Sequence, residues 1–169
     1  MSLPQFTSPD LPPTRSTPTI SVEVARQQDV VDLLSLGAVY ARALYPAENC
    51  FLLNVDELEA PGVDVYVARN EGGRALGMAA LVPWGTAVTE LKRMFVRPEA
   101  RNQGVASALL ARIEVDARAN GLRQIVLETG TKHDAAQALY SRHGFVKIPQ
   151  FGIYIGEPFS VCMAKMLSH

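Results

Sequence analysis

Apolar and polar positions alternate along Thr19-Ile20-Ser21-Val22-Glu23-Val24, the two-residue period of a half-buried strand. The period then lengthens. Val30, Leu33, Leu34, Ala38 and Ala41 share one stripe and predict a helix over residues 29–44, which Pro46 stops. Strand-like runs at residues 63–68 and 75–82 flank Asn70-Glu71-Gly72-Gly73, turn chemistry that suits an antiparallel hairpin. A third strand, residues 87–96, extends that meander. Helical spacing returns near Gln103, where Val105, Leu109 and Ile113 recur every fourth residue with Ala106, Leu110 and Ala117 beside them, and it ends at Asn120-Gly121. Residues 124–127 supply the next strand, 134–142 a short helix closed by Gly144, and 145–148 and 160–167 two final strands. The order β-α-β-β-β-α-β-α-β-β predicts an α/β fold: a mixed, mostly antiparallel sheet with helices on both faces.

Composition narrows the picture. The first 18 residues hold five of the eleven prolines among Ser and Thr, and such a segment cannot sustain a helix or a strand ladder. Residues 1–18 are therefore expected as a disordered arm and residues 19–169 as a single domain. Sixteen basic against seventeen acidic residues leave a formal net charge of −1, which removes the electrostatic case for nucleic acid or an anionic membrane as main partner. No apolar run approaches a membrane span and the N-terminus lacks the order of a secretory signal, so the expected location is the cytoplasm. Cys50 and Cys162 stand far apart and the three histidines share no ligand spacing with them; no metal is expected.

The densest chemistry lies at Arg101-Asn102-Gln103-Gly104-Val105-Ala106, between a strand and a helix. A helix start leaves its first N–H groups without intrahelical partners and carries the positive end of the peptide dipoles, so a diphosphate placed there satisfies both. Gly104 lets the backbone approach closely and Ala106 keeps the next turn small. The loop follows Met94-Phe95-Val96-Arg97-Pro98 and precedes Ala135-Ala136-Gln137-Ala138-Leu139-Tyr140-Ser141-Arg142-His143-Gly144-Phe145. Together these stretches resemble the acyl-CoA-binding core of the GNAT superfamily of N-acetyltransferases, and Phe151-Gly152-Ile153-Tyr154 with the residues after it resembles the ending of an uncharacterised bacterial subgroup.

The resemblance implies the GNAT fold, acetyl-CoA as cosubstrate, and transfer in a splayed groove between residues 90–96 and 124–129. It implies that backbone groups of Met94, Phe95 and Val96 meet the pantetheine arm and that Arg101, Asn102, Gln103, Gly104, Val105, Ala106 and Ser107 hold the diphosphate. Asn102 stands where many members have glycine; Asn tolerates the backbone angles such a loop needs. Tyr140 matches the tyrosine that returns a proton to the departing thiolate, and a phenol near pKa about 10 beside a thiol near about 8.5 permits a proton transfer or a strong hydrogen bond. The alternative for Tyr140 is a core aromatic packed under Phe145.

An attacking amine must be neutral, so some group has to accept its proton. Glu90 is the candidate; its eleven-residue spacing from Arg101 is similar to that of the catalytic glutamate in the histone-acetylating branch. Lys92 shares its strand face, so a structural Glu90–Lys92 ion pair is the competing reading. Lys92 and Arg93 are expected on opposite faces, with Glu90, Glu128 or a substrate anion as partners, and Arg93 could clamp a substrate carboxylate with two hydrogen bonds. His133 and His143 are read as surface residues at helix ends or as bases. The family pattern places the loop over residues 149–158, with Tyr154, and the first helix, with Tyr45 and Glu48, around the acceptor. The expected reaction is direct acetylation of a primary amine, first of a small metabolite, alternatively of a protein lysine or N-terminus; a non-catalytic CoA-binding module is the rival from another class. Pairing of two copies through residues 160–167 is the expected mode of any homodimer.

Overall fold

Thr19–Val22 (β1) opens a seven-stranded sheet in a computed structural model whose described residues are 15–168. Most of the expected N-terminal arm lies outside the described residues; residues 15–18 carry no regular structure. The strands Asp64–Arg69 (β2), Ala75–Pro83 (β3), Val88–Val96 (β4), Gln124–Gly130 (β5), Val146–Ile148 (β6) and Ser160–Met166 (β7) complete the sheet in the order β1-β2-β3-β4-β5-β7-β6. Only β4 and β5 pair in parallel; every other neighbour is antiparallel. The helices are Gln28–Leu44 (α1), a single turn Val55–Leu58 (α2), Val105–Ala119 (α3) and Asp134–Arg142 (α4). The α/β mixed sheet read from the sequence is thus present, with α2 added. That turn is fixed by a reciprocal cap, in which Asn54 Oδ1 accepts from Glu57 N–H at 2.9 Å and Glu57 Oε2 accepts from Asn54 N–H at 2.7 Å.

Burial on both faces explains why the middle strands read as apolar runs rather than as alternation. Val65 and Val67 of β2 pack with Val30, Leu33 and Leu34 of α1, while Tyr66 and Ala68 pack with Leu109, Leu110 and Ile113 of α3. The sheet is a partition between two apolar layers. Gly77 is required where β3 passes the start of α3, since a Cβ there would lie 2.9 Å from Phe95 O and 3.3 Å from Val105 Cγ1.

Strand β4 contains the irregularity that positions the site. Ala80 pairs with Lys92 and Met78 with Phe95, so the single residue Ala79 faces both Arg93 and Met94. Arg93 takes the extra place with φ +56°, a left-handed conformation that is uncommon for a side chain of this size. The bulge reverses the strand's parity. Leu91 and Met94 both meet the α3 layer, and Phe95 meets the α1 layer. Lys92 and Arg93 are therefore not on opposite faces as alternation predicted: Lys92 lies opposite Ala80 of the α1 layer and Arg93 donates to Leu34 O of α1.

Strand β7, the expected dimer edge, is interior, paired along its length with β5 and over Cys162–Ala164 with β6. The central part of the edge that such a dimer needs is already used. No helix among the described residues is long and apolar enough to cross a membrane.

Candidate active site

Parallel pairing of β4 with β5 runs from Val88–Gln124 to Leu91–Leu127 and stops. Past that point each strand stays zipped on its outer side, β4 to β3 and β5 to β7, while their inner edges diverge. The gap continues into a cavity of about 690 Å³ that reaches both layers, lined from the α3 side by residues such as Met94, Val105, Leu139 and Tyr140 and from the α1 side by Leu34, Tyr40, Ala41 and Phe95. An opening through the middle of a sheet exposes backbone groups that a closed sheet would pair.

At one mouth stands the loop before α3. Asn102 (φ +59°) and Gly104 (φ +82°) both adopt left-handed backbone, the tolerance expected of Asn at this position. Gly104 is the N-cap and has no side-chain cap, so the helix begins at Val105 rather than near Gln103. The first ladder bond runs from Ala108 N–H to Gly104 O, which leaves the amides of Val105, Ala106 and Ser107 outside the ladder. A Cβ on Gly104 would meet nothing within 4 Å, so the approach to those amides is open. Arg101 closes the end of β4: its Nε donates to Val96 O at 3.1 Å and its guanidinium lies over the rings of Tyr40 and Phe95. Ser107 Oγ lies 3.0 Å from His143 Nε2, tying α3 to the end of α4.

Tyr140 projects from α4, one turn after Ala136, and its ring meets Phe145 edge-on at 5.7 Å. It serves the packing role and lines the cavity as well. Burial pushes its phenol well above the ordinary value, with the Glu128 carboxylate adding to the effect.

On the α1 side of the gap Glu90, Lys92 and Tyr154 form a closed set. Tyr154 Oη donates to Glu90 Oε1 at 2.5 Å, Lys92 Nζ donates to Tyr154 Oη at 2.5 Å, and Lys92 reaches Glu90 Oε1 at 3.4 Å. All three line the cavity, and Glu90 is buried. Burial, then the hydrogen bond to Glu90, drives the Tyr154 phenol far up. The ion-pair reading of Glu90 and Lys92 is the arrangement present.

Two further charges line the cavity in a less settled state. Arg93 Nη2 donates to Leu34 O at 2.8 Å, while its buried Nε has no partner among the described residues. Burial, with Arg42 nearby, lowers this guanidinium to about 10. Glu128 follows the last residue of β5 that pairs with β4; Ser160 Oγ donates to its Oε1 at 2.8 Å, and burial pushes the carboxyl up. His133, the N-cap of α4, stacks on Tyr40 at 5.4 Å with its buried Nε2 unpartnered among the described residues, and burial lowers its imidazole.

The gap thus gathers Tyr140, Glu90, Arg93, Tyr45, Tyr154, Met94, Phe95, Val96, Arg101, Asn102, Gly104, Val105, Ala106 and Ser107 around one cavity. Gln103 and Glu48 stay outside it: Gln103 is exposed and caps Glu99 O, and Glu48 is exposed beside Asn49, which faces the cavity instead. Sequence reasoning passed over Tyr40, Asn49 and Gly130. A Cβ at Gly130 would fall 2.0 Å from Tyr45 Oη, the hydroxyl that accepts from Lys132 N–H at 2.8 Å. No local pattern marks such a glycine, because the partner lies just past the end of α1, distant in sequence.

A family model described as the Acetyltransferase (GNAT) family matches residues 29–145. The chain is 39% identical over 150 residues to an IAA acetyltransferase of Azospirillum brasilense, covering 88% of this chain and 97% of that protein. It is 29% identical over 150 residues to an uncharacterised N-acetyltransferase of Bacillus subtilis, covering 88% and 99%. Among solved structures, a Klebsiella pneumoniae protein assigned as an acyl-CoA N-acyltransferase superposes with a TM-score of 0.76 at 28% identity, covering 89% of this chain and 98% of that one. A GNAT family acetyltransferase of Elizabethkingia anophelis with acetyl-CoA bound shares the fold, with a TM-score of 0.68 at 21% identity over 90% and 99% of the two chains.

Proposed function

The chain belongs to the GNAT acetyltransferase family, and from that premise we propose that it moves the acetyl group of acetyl-CoA directly to the primary amine of a small metabolite that also carries a carboxylate. The observation that carries this reading is the gap in the sheet beyond Leu91 and Leu127, with open helix-start amides at one mouth and Tyr140 beside it. The residues fit the cosubstrate. Amides of Gly104 to Ser107 offer donors and the positive end of α3 to a diphosphate, and the unpaired inner edge of β4 at Met94 and Val96 offers peptide groups to a pantetheine arm. Acetyl-CoA supplies the acetyl group as an activated thioester.

This chain's own residues do the rest. Backbone amides along residues 94–96 polarise the carbonyl oxygen. Tyr140, kept fully protonated by burial, presents a hydroxyl hydrogen to the sulfur as charge develops there. With its phenol raised further above a thiol, hydrogen-bond donation is favoured over outright loss of the proton. Among the described residues Arg93 has no carboxylate partner and its buried Nε has no acceptor, and an anionic group of the acceptor would satisfy both. Neither Cys50 nor Cys162 is set up as a nucleophile; burial pushes the Cys162 thiol up, away from the reactive thiolate.

Release of free thiol from acetyl-CoA, followed with a panel of amino acids, alkylamines, lysine peptides and IAA, tests the reading, with acetyl-CoA uptake measured separately by calorimetry. Turnover is expected with carboxylate-bearing amines. Turnover confined to peptides would move the assignment to protein acetylation, and tight uptake without turnover of any acceptor would leave a binding module.

A further inference from the structure

The cavity carries three carboxylates, Glu90, Glu128 and Asp134, and they are not equivalent. Asp134 sits exposed in the first turn of α4. Glu90 already accepts from Tyr154 and Lys92 on the same oxygen, Oε1, and is thereby committed to partners within the protein. Glu128 differs in place and in partners. It is the first residue of β5 after pairing with β4 ends, and it shares the α1-side face with Glu90, because Val126 lies beside Glu90 in register and residues two apart point the same way. Its Oε1 is fixed by Ser160 Oγ, while its Oε2 accepts no hydrogen bond from any described residue.

Resting on the acetyltransferase reading above, we propose that Glu128, through Oε2, takes the proton of the acceptor ammonium at the open end of the β4–β5 gap, while Glu90 holds Lys92 and Tyr154 in place.

The proton count closes. The acceptor nitrogen gives one proton to Glu128 and uses the freed lone pair to form the N–C bond; the C–S bond breaks with its electron pair on sulfur. The second nitrogen proton ends on sulfur beside Tyr140, and Glu128 returns its proton to water, so each turnover yields amide, thiol and one released proton. A carboxyl whose burial lifts it above the usual range suits the task better than an ordinary one, since the proton acceptor works best when its affinity approaches the working pH. The groups that face Glu128 are Lys92 and Glu90 of β4, Glu157 before β7, Cys162 across from it on β7, Tyr45 after α1, Tyr140 of α4 and Tyr154. Of these, Lys92 pulls its affinity down, and Glu90 and Glu157 push it up.

The test has two readouts on the full chain. Protein labelled with 13C at the glutamate carboxyls is titrated by NMR, and the resonance missing from Glu128→Gln identifies the group. That resonance is expected to titrate above the ordinary carboxyl value of 4.5; a midpoint at or below it overturns the proposal whether or not an acceptor is known. With whichever amine of the panel turns over, Glu128→Gln is expected to lower kcat about 100-fold or more and to abolish the acid limb of the pH–rate profile. Glu128→Asp should recover part of the rate, and the Kd for acetyl-CoA by calorimetry should stay within about twofold of native. Native kcat with an intact acid limb in Glu128→Gln overturns the proposal while leaving the acetyltransferase reading in place. Absence of acetyl-CoA uptake by folded native protein sinks that reading instead.

Discussion

The two halves of the β4–β5 pair are built from one pair of strands yet obey different rules. Along residues 88–91 and 124–127 the strands are zipped to each other, and Leu91, Ile125 and Leu127 pack under Leu109, Leu110 and Ile113 of α3. Along residues 92–96 and 128–130 the strands part, a bulge holds Arg93 in a left-handed conformation, and Lys92, Arg93 and Glu128 line the space between. The first half satisfies its backbone by itself and gains from apolar burial. The second leaves inner-edge peptide groups and partly desolvated charges without full compensation. On the proposed function, stability resides in the zipped half and chemistry in the parted one, and a substitution should show which half it belongs to by what it damages.

Leu127→Ala is the strongest blow to the zipped half. Removing a fully buried leucine from between α3 and the sheet should cost about 2–5 kcal/mol, read from the midpoint of urea unfolding. A loss of that size with rates per folded molecule preserved upholds the comparison; a stable variant that cannot turn over breaks it. Tyr140→Phe is the mirror case. The ring keeps its edge-on contact with Phe145 and loses only the hydroxyl, so unfolding should move by less than about 1 kcal/mol while kcat falls about 100-fold. Arg93→Ala should raise KM for a carboxylate-bearing amine about 10- to 100-fold and leave a plain alkylamine unaffected, a difference read from the two steady-state curves. Equal losses for both acceptors would make Arg93 a strut of the bulge.

The zipped half was the legible half. The four-residue spacing of Val105, Leu109 and Ile113 and the unbroken apolar strands predict the layers, since burial writes itself into local periodicity. The loop at Asn102 and Gly104 was legible too, because left-handed backbone restricts residue choice. The bulge was not: nothing in Lys92-Arg93-Met94 signals an extra residue, and strict alternation set Lys92 and Arg93 on opposite faces when both look toward α1. Asn54 and Glu57 did carry the spacing of a capping box, and α2 was there to be read from it. Glu128 sits in a strand ending that marks it only as a charge near Lys92. Its exposure to the gap follows from where β4 turns aside, a relation between strands rather than a feature of either.

The smallest effect is the most pointed, because it asks whether the parted half stores a cost even when nothing reacts. Glu128 in the folded chain holds its proton more tightly than the ordinary carboxyl value of 4.5, chiefly because burial disfavours its charge. Below that ordinary value the group is protonated in both folded and unfolded chains and contributes nothing. As pH rises through it, the unfolded chain releases the proton first, so the folded state loses stability until its own carboxyl has ionised. Replacing Glu128 with Gln removes the titration. The variant should match native Tm near pH 4 and exceed it at pH 8 by no more than about 2–4 °C, the rise that 1 kcal/mol gives a domain of this size. Calorimetric scans of both proteins across that range read the difference directly. A gap that widens with pH places Glu128 among the groups held at a cost to the fold; a gap that is constant or shrinks as pH rises means Lys92 and Ser160 already compensate the charge, and the two halves differ less than their geometry says.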